Sequence, residues 1–334
     1  MAEKNAEAFL KQRSAGEGGF LNFISKWGTL IVTALLIIFF AAAVPSFLTG
    51  SNIVTIFRSI SIVTIIAIGV TVSLTVNGFD LSVGSVATFA DALVVSMFVW
   101  YNMPTWLGMI LALLISMVVG LVNAFFIVKL KIPDMLVTLS TMFIFAGVAM
   151  TYTGGGSISV GMPRLDGTPT VGKIAEFFKD LGKAPWIIII MVVVVLLVHI
   201  FLNYTKHGRY LYVVGGNMEA ARLSGIPVNK YRTLAYMLSS LLSAVGGILI
   251  AARIGSAQIA AGDGYLMPAV AAAYIGFSVA GVGKPNAIGT FIGAVLVGIL
   301  ENGLVMMSVP YYSLNIIKGM VLVLALALTY FRKK

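Results

Sequence analysis

Long apolar stretches separated by short polar segments fill most of this chain of 334 residues. A helix needs about 20 apolar residues to cross the hydrocarbon core of a bilayer, and ten stretches approach or exceed that length. The pattern therefore predicts an all-α, polytopic membrane protein with about ten transmembrane helices. The predicted spans are about 28–45, 53–76, 82–100, 106–128, 135–152, 186–203, 233–252, 266–282, 286–307 and 313–331.

Composition supports lipid as the solvent of this chain. Hydrophobic residues make up 59% and charged residues 10% of it, and the mean hydropathy is +1.02. Soluble domains average about 25% charged residues, so this chain could not cover itself with a polar surface. Cysteine is absent, and the two histidines, His199 and His207, cannot build a zinc site by themselves. We expect no metal site and no cofactor in this chain.

The distribution of charge predicts the orientation in the membrane. The net charge of +10 would suggest a nucleic-acid partner in a soluble protein, but here it fits the excess of Lys and Arg that marks cytoplasmic loops. With the N-terminus inside, 15 of the 22 basic residues fall in cytoplasmic segments. We therefore expect two cytoplasmic termini and no nucleic-acid partner.

These spans and charges define the predicted domain organisation. Residues 1–27 form a cytoplasmic N-terminal arm that rests on the membrane surface, and they lack the features of a secretory signal peptide. Residues 28–332 form a single transmembrane domain with an outer loop at 153–185 and a cytoplasmic loop at 204–232.

A weak internal repeat is present in the sequence. VVGLVNAFFIVKLKIP (118–133) resembles LVGILENGLVMMSVP (296–310), at an offset of about 178 residues and five spans. An odd number of spans inverts the second copy in the membrane, which is a pattern common in transporters. We expect two inverted five-helix repeats; a chance match between two apolar, Gly-containing helices is the alternative.

The cytoplasmic loop contains the signals of a short helix. Asn217 is a good N-cap, and Glu219 favours the positive end of the helix dipole. Arg222 lies in the last turn, within reach of Glu219, and Gly225 suits a left-handed C′ position. Isolated helices this short are marginal in water. This helix should therefore lie against the bilayer surface or another protein, and the alternative is a solvated connector.

The same residues carry a family resemblance. EAARLSG (219–225) resembles the E-A-A-x-x-x-G loop of ABC importer permeases, although the downstream I-x-L-P is missing. GRYLYVVGGNMEAARLSGIPV (208–228) is similar to a stretch of the ribose-type (monosaccharide) permease family. So are NGFDLSVGS (77–85), TLSTMFIFAGVAMTYTGGGSIS (138–159) and GSAQIAAGDGYLMPAVAA (255–272), and the likeness covers roughly residues 45–330.

The resemblance implies a permease subunit of the bacterial inner membrane. Its partners would be an ABC ATPase subunit, a periplasmic or extracellular solute-binding protein and a second permease copy or homologous permease. The chain has no phosphate-binding loop of its own, so ATP and Mg²⁺ would belong to the ATPase. The residues that would couple to that ATPase are Gly208, Arg209, Gly215, Asn217, Glu219, Ala220, Ala221, Arg222 and Gly225.

Polar residues inside the spans are candidates for a translocation pathway, because they are costly in lipid and tend to face the protein interior. The helix should break at Asn77, before Asp80, and Ser82 can cap the third span. Asp91 lies further along that span, and Asp263 lies in the corresponding Gly-rich break of the second half. The alternatives are that Asp80 only caps the third span and that Asp91 is a buried, paired or protonated group.

Three further polar residues, Asn123, Glu301 and Asn302, can either join helices or line a pore. The function predicted from the whole chain is ATP-driven import of a monosaccharide or a similar neutral solute, such as a furanose autoinducer or a nucleoside, by a subunit that is not itself an enzyme. An ion-coupled secondary transporter, with a coupling role for Asp80, Asp91 or Glu301, is the main alternative. A channel or a structural membrane protein is a third possibility.

Overall fold

The computed structural model describes residues 27–277, 279 and 283–310, together with 312–314, 316, 317, 319, 320 and 323. The predicted N-terminal arm, apart from Trp27, and most of the tenth predicted span lie outside the described residues. The described part of the chain is helical, as predicted, and its only β-pairing is an isolated bridge between Ile158 and Ala257.

The helices follow one another along the chain with short connections, apart from the predicted outer loop. Their bounds are α1 Trp27–Ala43, α2 Gly50–Leu74, α3 Val83–Val99, α4 Thr105–Ala124, α5 Asp134–Thr153, α6 Glu176–Leu181, α7 Trp186–Tyr204, α8 Lys206–Gly216, α9 Met218–Leu223, α10 Val228–Ile254, α11 Asp263–Ile275 and α12 Ala287–Met306. A π-helical turn, Phe125–Lys129, continues α4.

Six of these helices are long and apolar enough to cross a membrane, namely α2, α4 with its π-helical turn, α5, α7, α10 and α12. They coincide with six of the ten predicted spans. The first, third and eighth predicted spans coincide with the shorter helices α1, α3 and α11. The predicted eighth span, 266–282, is wrong in its bounds. The sequence stays apolar beyond the end of α11, with further Gly and Ala residues, so a hydropathy pattern does not show where this helix ends.

Helices α2 and α10 form the centre of the bundle. Helix α2 packs against α10, α11 and α12, whereas α10 packs against α2, α3 and α4. Close approach depends on small residues, because a side chain at Gly247 of α10 would collide with the carbonyl of Ala87 on α3. Helices α5 and α7 are mostly exposed on the outside of the bundle, where an apolar surface suits contact with lipid.

Two irregular segments interrupt the bundle. Residues 75–82, which we call the first break, connect α2 to α3, and residues 255–262, the second break, connect α10 to α11. The first break contains Asn77 in a left-handed conformation, with φ of 54°, and the second begins with Gly255, whose φ is 77°. Asn77 and Gly255 are 178 positions apart, which is the offset of the predicted repeat.

The short helices α3 and α11 meet at their N-terminal ends, directly after the two breaks. A Cβ atom on Gly262 would collide with the carbonyl of Gly84, so the two backbones touch there. The amide of Gly262 also donates a hydrogen bond of 2.9 Å to Oγ1 of Thr88 on α3. Gly84 and Gly262 are again 178 positions apart. The two breaks therefore lead to one shared contact inside the protein.

Candidate functional site

Helices α8 and α9 form a hairpin that lies against the ends of α2, α7 and α10. The side chain of Thr205 caps α8 by accepting a hydrogen bond of 3.1 Å from the amide of Gly208. Leu211 and Val214 on α8 are fully buried in an apolar cluster with side chains of α2, α7 and α10. This amphipathic packing holds α8 in place, and we call α8 and α9 together the hairpin.

Helix α9 has the caps that the sequence predicts. The side chain of Asn217 accepts a hydrogen bond of 3.0 Å from the amide of Ala220, and Gly225 follows the helix in a left-handed conformation, with φ of 76°. Arg222 and Glu219 form the predicted ion pair at 2.9 Å. The predicted short helix is therefore confirmed, with bounds at Met218–Leu223.

One face of α9 packs on the bundle and the other faces away from it. The side chain of Ala221 is fully buried, whereas Leu223 is 89% exposed. The side chains of Glu219 and Arg222 are 72% and 62% exposed. The exposed face of α9 thus combines a leucine with one acidic and one basic side chain.

Two predicted coupling residues, Gly208 and Gly215, act through packing. A side chain at Gly208 would collide with the backbone of Phe201 and Leu202 at the end of α7. A side chain at Gly215 would collide with the carbonyl of Thr75, the first residue of the first break. Arg209, in contrast, is exposed on the surface of α8. The hairpin therefore rests directly on the first break.

The hairpin also contacts the turn before α12. The hydroxyl of Tyr212 on α8 donates a hydrogen bond of 2.7 Å to the carbonyl of Pro285, and the ammonium of Lys284 lies 4.4 Å from the centre of the Tyr212 ring. Burial raises the pKa of Tyr212 to about 12, so this hydroxyl remains a hydrogen-bond donor even at moderately alkaline pH. Helix α8 thus contacts both halves of the chain, namely the first break in the first half and the turn before α12 in the second half.

Asp80 ties the first break to its surroundings. Its carboxylate is fully buried, and Oδ1 accepts hydrogen bonds from the amide and hydroxyl of Ser82, at 2.9 and 2.6 Å. Oδ2 accepts one of 2.7 Å from the hydroxyl of Ser239 on α10. We expected Ser82 to cap α3, and this was wrong: its own side chain makes no cap bond. The Asp80 carboxylate instead binds the amide of Ser82, the N-cap residue.

Asp91 ties the second break to α3. Its side chain is fully buried, and Oδ2 accepts a hydrogen bond of 2.9 Å from the amide of Gln258. The neighbouring residue Ala257 pairs with Ile158 of the outer loop through two backbone hydrogen bonds of 3.1 and 2.9 Å. The outer loop therefore contacts the second break through a backbone bridge, and the hairpin contacts the first break through close packing.

The five residues predicted to border a translocation pathway lie in different settings. Asp80, Ser82 and Asp91 are closed off from solvent and bonded within the bundle. Asn77 is exposed beside the hairpin, and Asp263 is exposed in the first turn of α11. Their role in transport stays a prediction.

Two of the three further polar residues named from the sequence, Asn123 and Asn302, join helices. The amide nitrogen of Asn123 donates a hydrogen bond of 2.9 Å to Ser82, and Thr141 donates one of 2.6 Å to the amide oxygen of Asn123. Asn302 of α12 exchanges two hydrogen bonds with Asn52 of α2, at 3.0 and 3.1 Å. Bonds of this kind stabilise helix packing in lipid.

The sequence of this chain is similar to those of known transport permeases. Residues 52–326 match a family model described as branched-chain amino acid transport system / permease component. The chain is 35% identical to the ribose import permease protein RbsC of Escherichia coli (strain K12) over 300 residues, which are 89% of this chain and 91% of that protein.

Two other relatives cover the chain to the same extent. Identity to the ribose import permease protein RbsC of Bacillus subtilis (strain 168) is 34%, with 94% of this chain and 95% of that protein covered. Identity to the L-arabinose transport system permease protein AraH of Escherichia coli (strain K12) is 31%, with 92% of each covered. No solved structure gives a significant match.

Proposed function

The chain belongs to the ribose-type permease family of ABC transporters, whose members are not themselves enzymes, and from that membership we propose that it forms the membrane path of an ATP-driven sugar importer. A separate ATPase, which would hold ATP and Mg²⁺, would drive transport. A solute-binding protein would deliver the cargo from outside the bacterial inner membrane, and both termini would be cytoplasmic.

The observation that carries this proposal is the exposed face of α9. A helix of six residues is capped at both ends and packed on the bundle through the buried Ala221 and the partly buried Met218. Its outward face offers Leu223 beside the pair of Glu219 and Arg222. An ATPase with a groove of complementary charge would bind this face, because a helix in a groove is a common mode of recognition.

The packing of the hairpin supports a route for the transmitted motion. Movement of α9 would displace α8, which touches the carbonyl of Thr75 through Gly215 and the carbonyl of Pro285 through Tyr212. The first contact leads to the first break and the second to the turn before α12. One ATPase contact would therefore move both halves of the permease.

We propose that these halves are inverted repeats of five helices and that ten helices cross the membrane in all. The left-handed residues Asn77 and Gly255 and the touching glycines Gly84 and Gly262 support this proposal, since each pair is separated by the same 178 positions as the sequence repeat. The packing of α2 and α10 on opposite sets of helices also supports it. A second permease copy would complete the path.

The outer loop supports the proposed contact with a solute-binding protein. Several apolar side chains on it are half or more exposed, which is the property of a surface that binds a partner. They include Leu165, Val171 and Phe177. The relatives carry ribose and arabinose in their names, so the cargo we propose is a pentose.

Reconstitution in lipid vesicles tests the proposal. We expect uptake of D-ribose, D-xylose or L-arabinose only when the ATPase, the binding protein and ATP are all present. Replacing α9 contacts, as in Leu223→Ala with Glu219→Ala, should weaken ATPase binding about tenfold or more and abolish uptake, because truncated interface residues lose binding energy. Uptake driven by a proton or sodium gradient without nucleotide would instead identify an ion-coupled transporter. Uptake of a nucleoside or a furanose autoinducer alone would contradict the pentose.

A further inference from the structure

A cavity of about 420 Å³ lies between α2, α10, α11 and α12, apart from the pathway residues predicted from the sequence. This volume falls in the range of small-molecule pockets, roughly 300–1,000 Å³. Aliphatic side chains of α2 and α10 form part of its wall. The rest is formed by Ser59, Arg253, Gly264, Tyr265, Pro268 and Glu301.

The cavity lies toward one end of the helix bundle. Arg253 lies in the last turn of α10, Gly264 in the first turn of α11 and Glu301 within six residues of the end of α12. The end of α10, the start of α11 and the end of α12 face the same side of the bundle. In the proposed orientation this is the outer side, where a binding protein would release its solute.

The wall of the cavity offers both donors and acceptors of hydrogen bonds. The guanidinium of Arg253 donates, the carboxylate of Glu301 accepts, and the hydroxyls of Ser59 and Tyr265 do both. Their formal charges cancel, so the cavity does not favour an anion or a cation. This combination suits a neutral molecule with many hydroxyl groups.

Helix α11 adds a backbone acceptor at the same place. Pro268 lies inside α11 and has no N–H to donate to the carbonyl of Gly264, four residues earlier. Both residues line the cavity, and a side chain at Gly264 would meet open space. A helix weakened by proline beside a broken segment is a common way for transporters to expose backbone groups to a solute.

We propose that this cavity is the first solute site of the permease and that it binds a single monosaccharide of pentose size. Arg253, Tyr265 and Glu301 hydrogen-bond the sugar hydroxyls, and the aliphatic wall contacts its C–H face. The choice of solute class rests on the proposed function, whereas the position of the site rests on the cavity alone. Solute binding here contacts α11 directly after the second break and stabilises one position of that break.

Single-cysteine labelling tests the site, because the chain has no cysteine of its own. The variant Ser59→Cys places a thiol in the cavity wall, and Ser51→Cys places one on the exposed first turn of the same helix as a matched control. The transporter, assembled with its ATPase and binding protein in vesicles without nucleotide, is treated from outside with a membrane-impermeant maleimide. D-ribose, D-xylose or L-arabinose is added at millimolar concentrations.

We expect at least one of these pentoses to slow the labelling of Ser59→Cys threefold or more and to leave Ser51→Cys unchanged. Adding Tyr265→Phe should raise the pentose concentration needed for protection about three- to tenfold, since one neutral hydrogen bond is lost. Glu301→Gln should raise it about tenfold or more, since bonds to a charged group are stronger. Tyr152→Phe, which removes a hydroxyl bonded to Ser96 outside the cavity, should change nothing.

A Ser59→Cys thiol that does not react from outside, or that reacts equally fast with every pentose, overturns the site. Equal protection in the Tyr265→Phe and Glu301→Gln variants overturns the assigned contacts. ATP-driven pentose uptake in the same vesicles is measured separately. If uptake is present without protection, the proposed function stands and the site fails. If protection is present without nucleotide-dependent uptake, the site stands and the coupling to ATP fails.

Discussion

The first and second breaks have similar backbone features but differ in the number of hydrogen bonds that fix them. Each contains a left-handed residue, leads to a short helix and reaches the shared contact of Gly84 with Gly262. The carboxylate of Asp80 accepts three hydrogen bonds at the first break. The carboxylate of Asp91 accepts one at the second, and its Oδ1 is buried without a hydrogen-bond partner among the described residues.

This difference indicates a division of roles between the two breaks. Hydrogen bonds to a charged group contribute about 1.5–3 kcal/mol each, so the first break is the more firmly held. It lies under the hairpin, where a stiff connection would transmit displacement from the proposed ATPase with little loss. The second break is paired with the outer loop, and its residues Gln258, Ile259 and Ala260 are exposed. A loosely held segment can respond to the binding of a solute.

The largest expected effect is on the free energy of unfolding, when the carboxylates of Asp80 and Asp91 are removed in separate variants. Asp80→Ala leaves the amide and hydroxyl of Ser82 and the hydroxyl of Ser239 without their acceptor. Because each buried unpaired group costs about 1–3 kcal/mol, we expect the free energy of unfolding to fall by about 3 kcal/mol or more. Asp91→Ala, the matched control, should cost less, about 1.5 kcal/mol, because only one bond is lost and its donor, the amide of the exposed Gln258, can bond water instead.

Unfolding by SDS in mixed micelles, followed by circular dichroism, measures both variants. Asp80→Asn keeps the shape of the side chain and should recover part of the loss. Equal destabilisation by Asp80→Ala and Asp91→Ala would show that the two breaks are held equally firmly, and the proposed division of roles would then be wrong.

The second expected effect concerns the contact between the hairpin and the first break. Gly215→Ala would collide with the carbonyl of Thr75 and displace α8, whereas a side chain at the adjacent Gly216 meets open space. We expect Gly215→Ala to reduce ATP-driven uptake about tenfold, because the displaced α8 would no longer press on the first break; in enzymes, a misplacement of about 1 Å can cost up to two orders of magnitude in rate. Gly216→Ala should match the wild type.

Uptake and ATP hydrolysis are measured in the same vesicles, so that loss of coupling is distinguished from loss of assembly. Hydrolysis that continues while uptake falls indicates a broken connection between α9 and the first break. Wild-type uptake in Gly215→Ala would show that the motion does not pass through Thr75.

Features of the site that depend on neighbouring residues could be predicted from the sequence, whereas contacts between residues far apart in the sequence could not. The caps of α9 at Asn217 and Gly225 lie within nine residues, so their signals are visible in a short stretch of sequence. The helix breaks at Asn77 and near Gly262 are also local. The bond between Asp80 and Ser239 spans 159 positions, and no periodic pattern encodes such a pairing.

The capping of α3 shows the same limit on a smaller scale. Both Asp80 and Ser82 can cap a helix, but their side chains also bond to Ser239 and Asn123, which lie far away in the sequence. The cavity at Glu301 was missed because its wall comes from four helices that are far apart in sequence. A single charged residue in an apolar span indicates a buried role without saying what surrounds it.

The smallest expected effect concerns the bridge between the outer loop and the second break. Ile158→Pro removes the N–H that bonds the carbonyl of Ala257, while Ile158→Val keeps this N–H and serves as the control. Since one backbone hydrogen bond contributes about 1 kcal/mol, the amides of Ala257 and Gln258 should exchange with solvent about fivefold faster in Ile158→Pro. Hydrogen exchange followed by mass spectrometry measures this rate. Faster exchange restricted to the second break would show that the outer loop holds that segment independently of the first break, whereas equal acceleration at Asn77 would show that the breaks open as one unit.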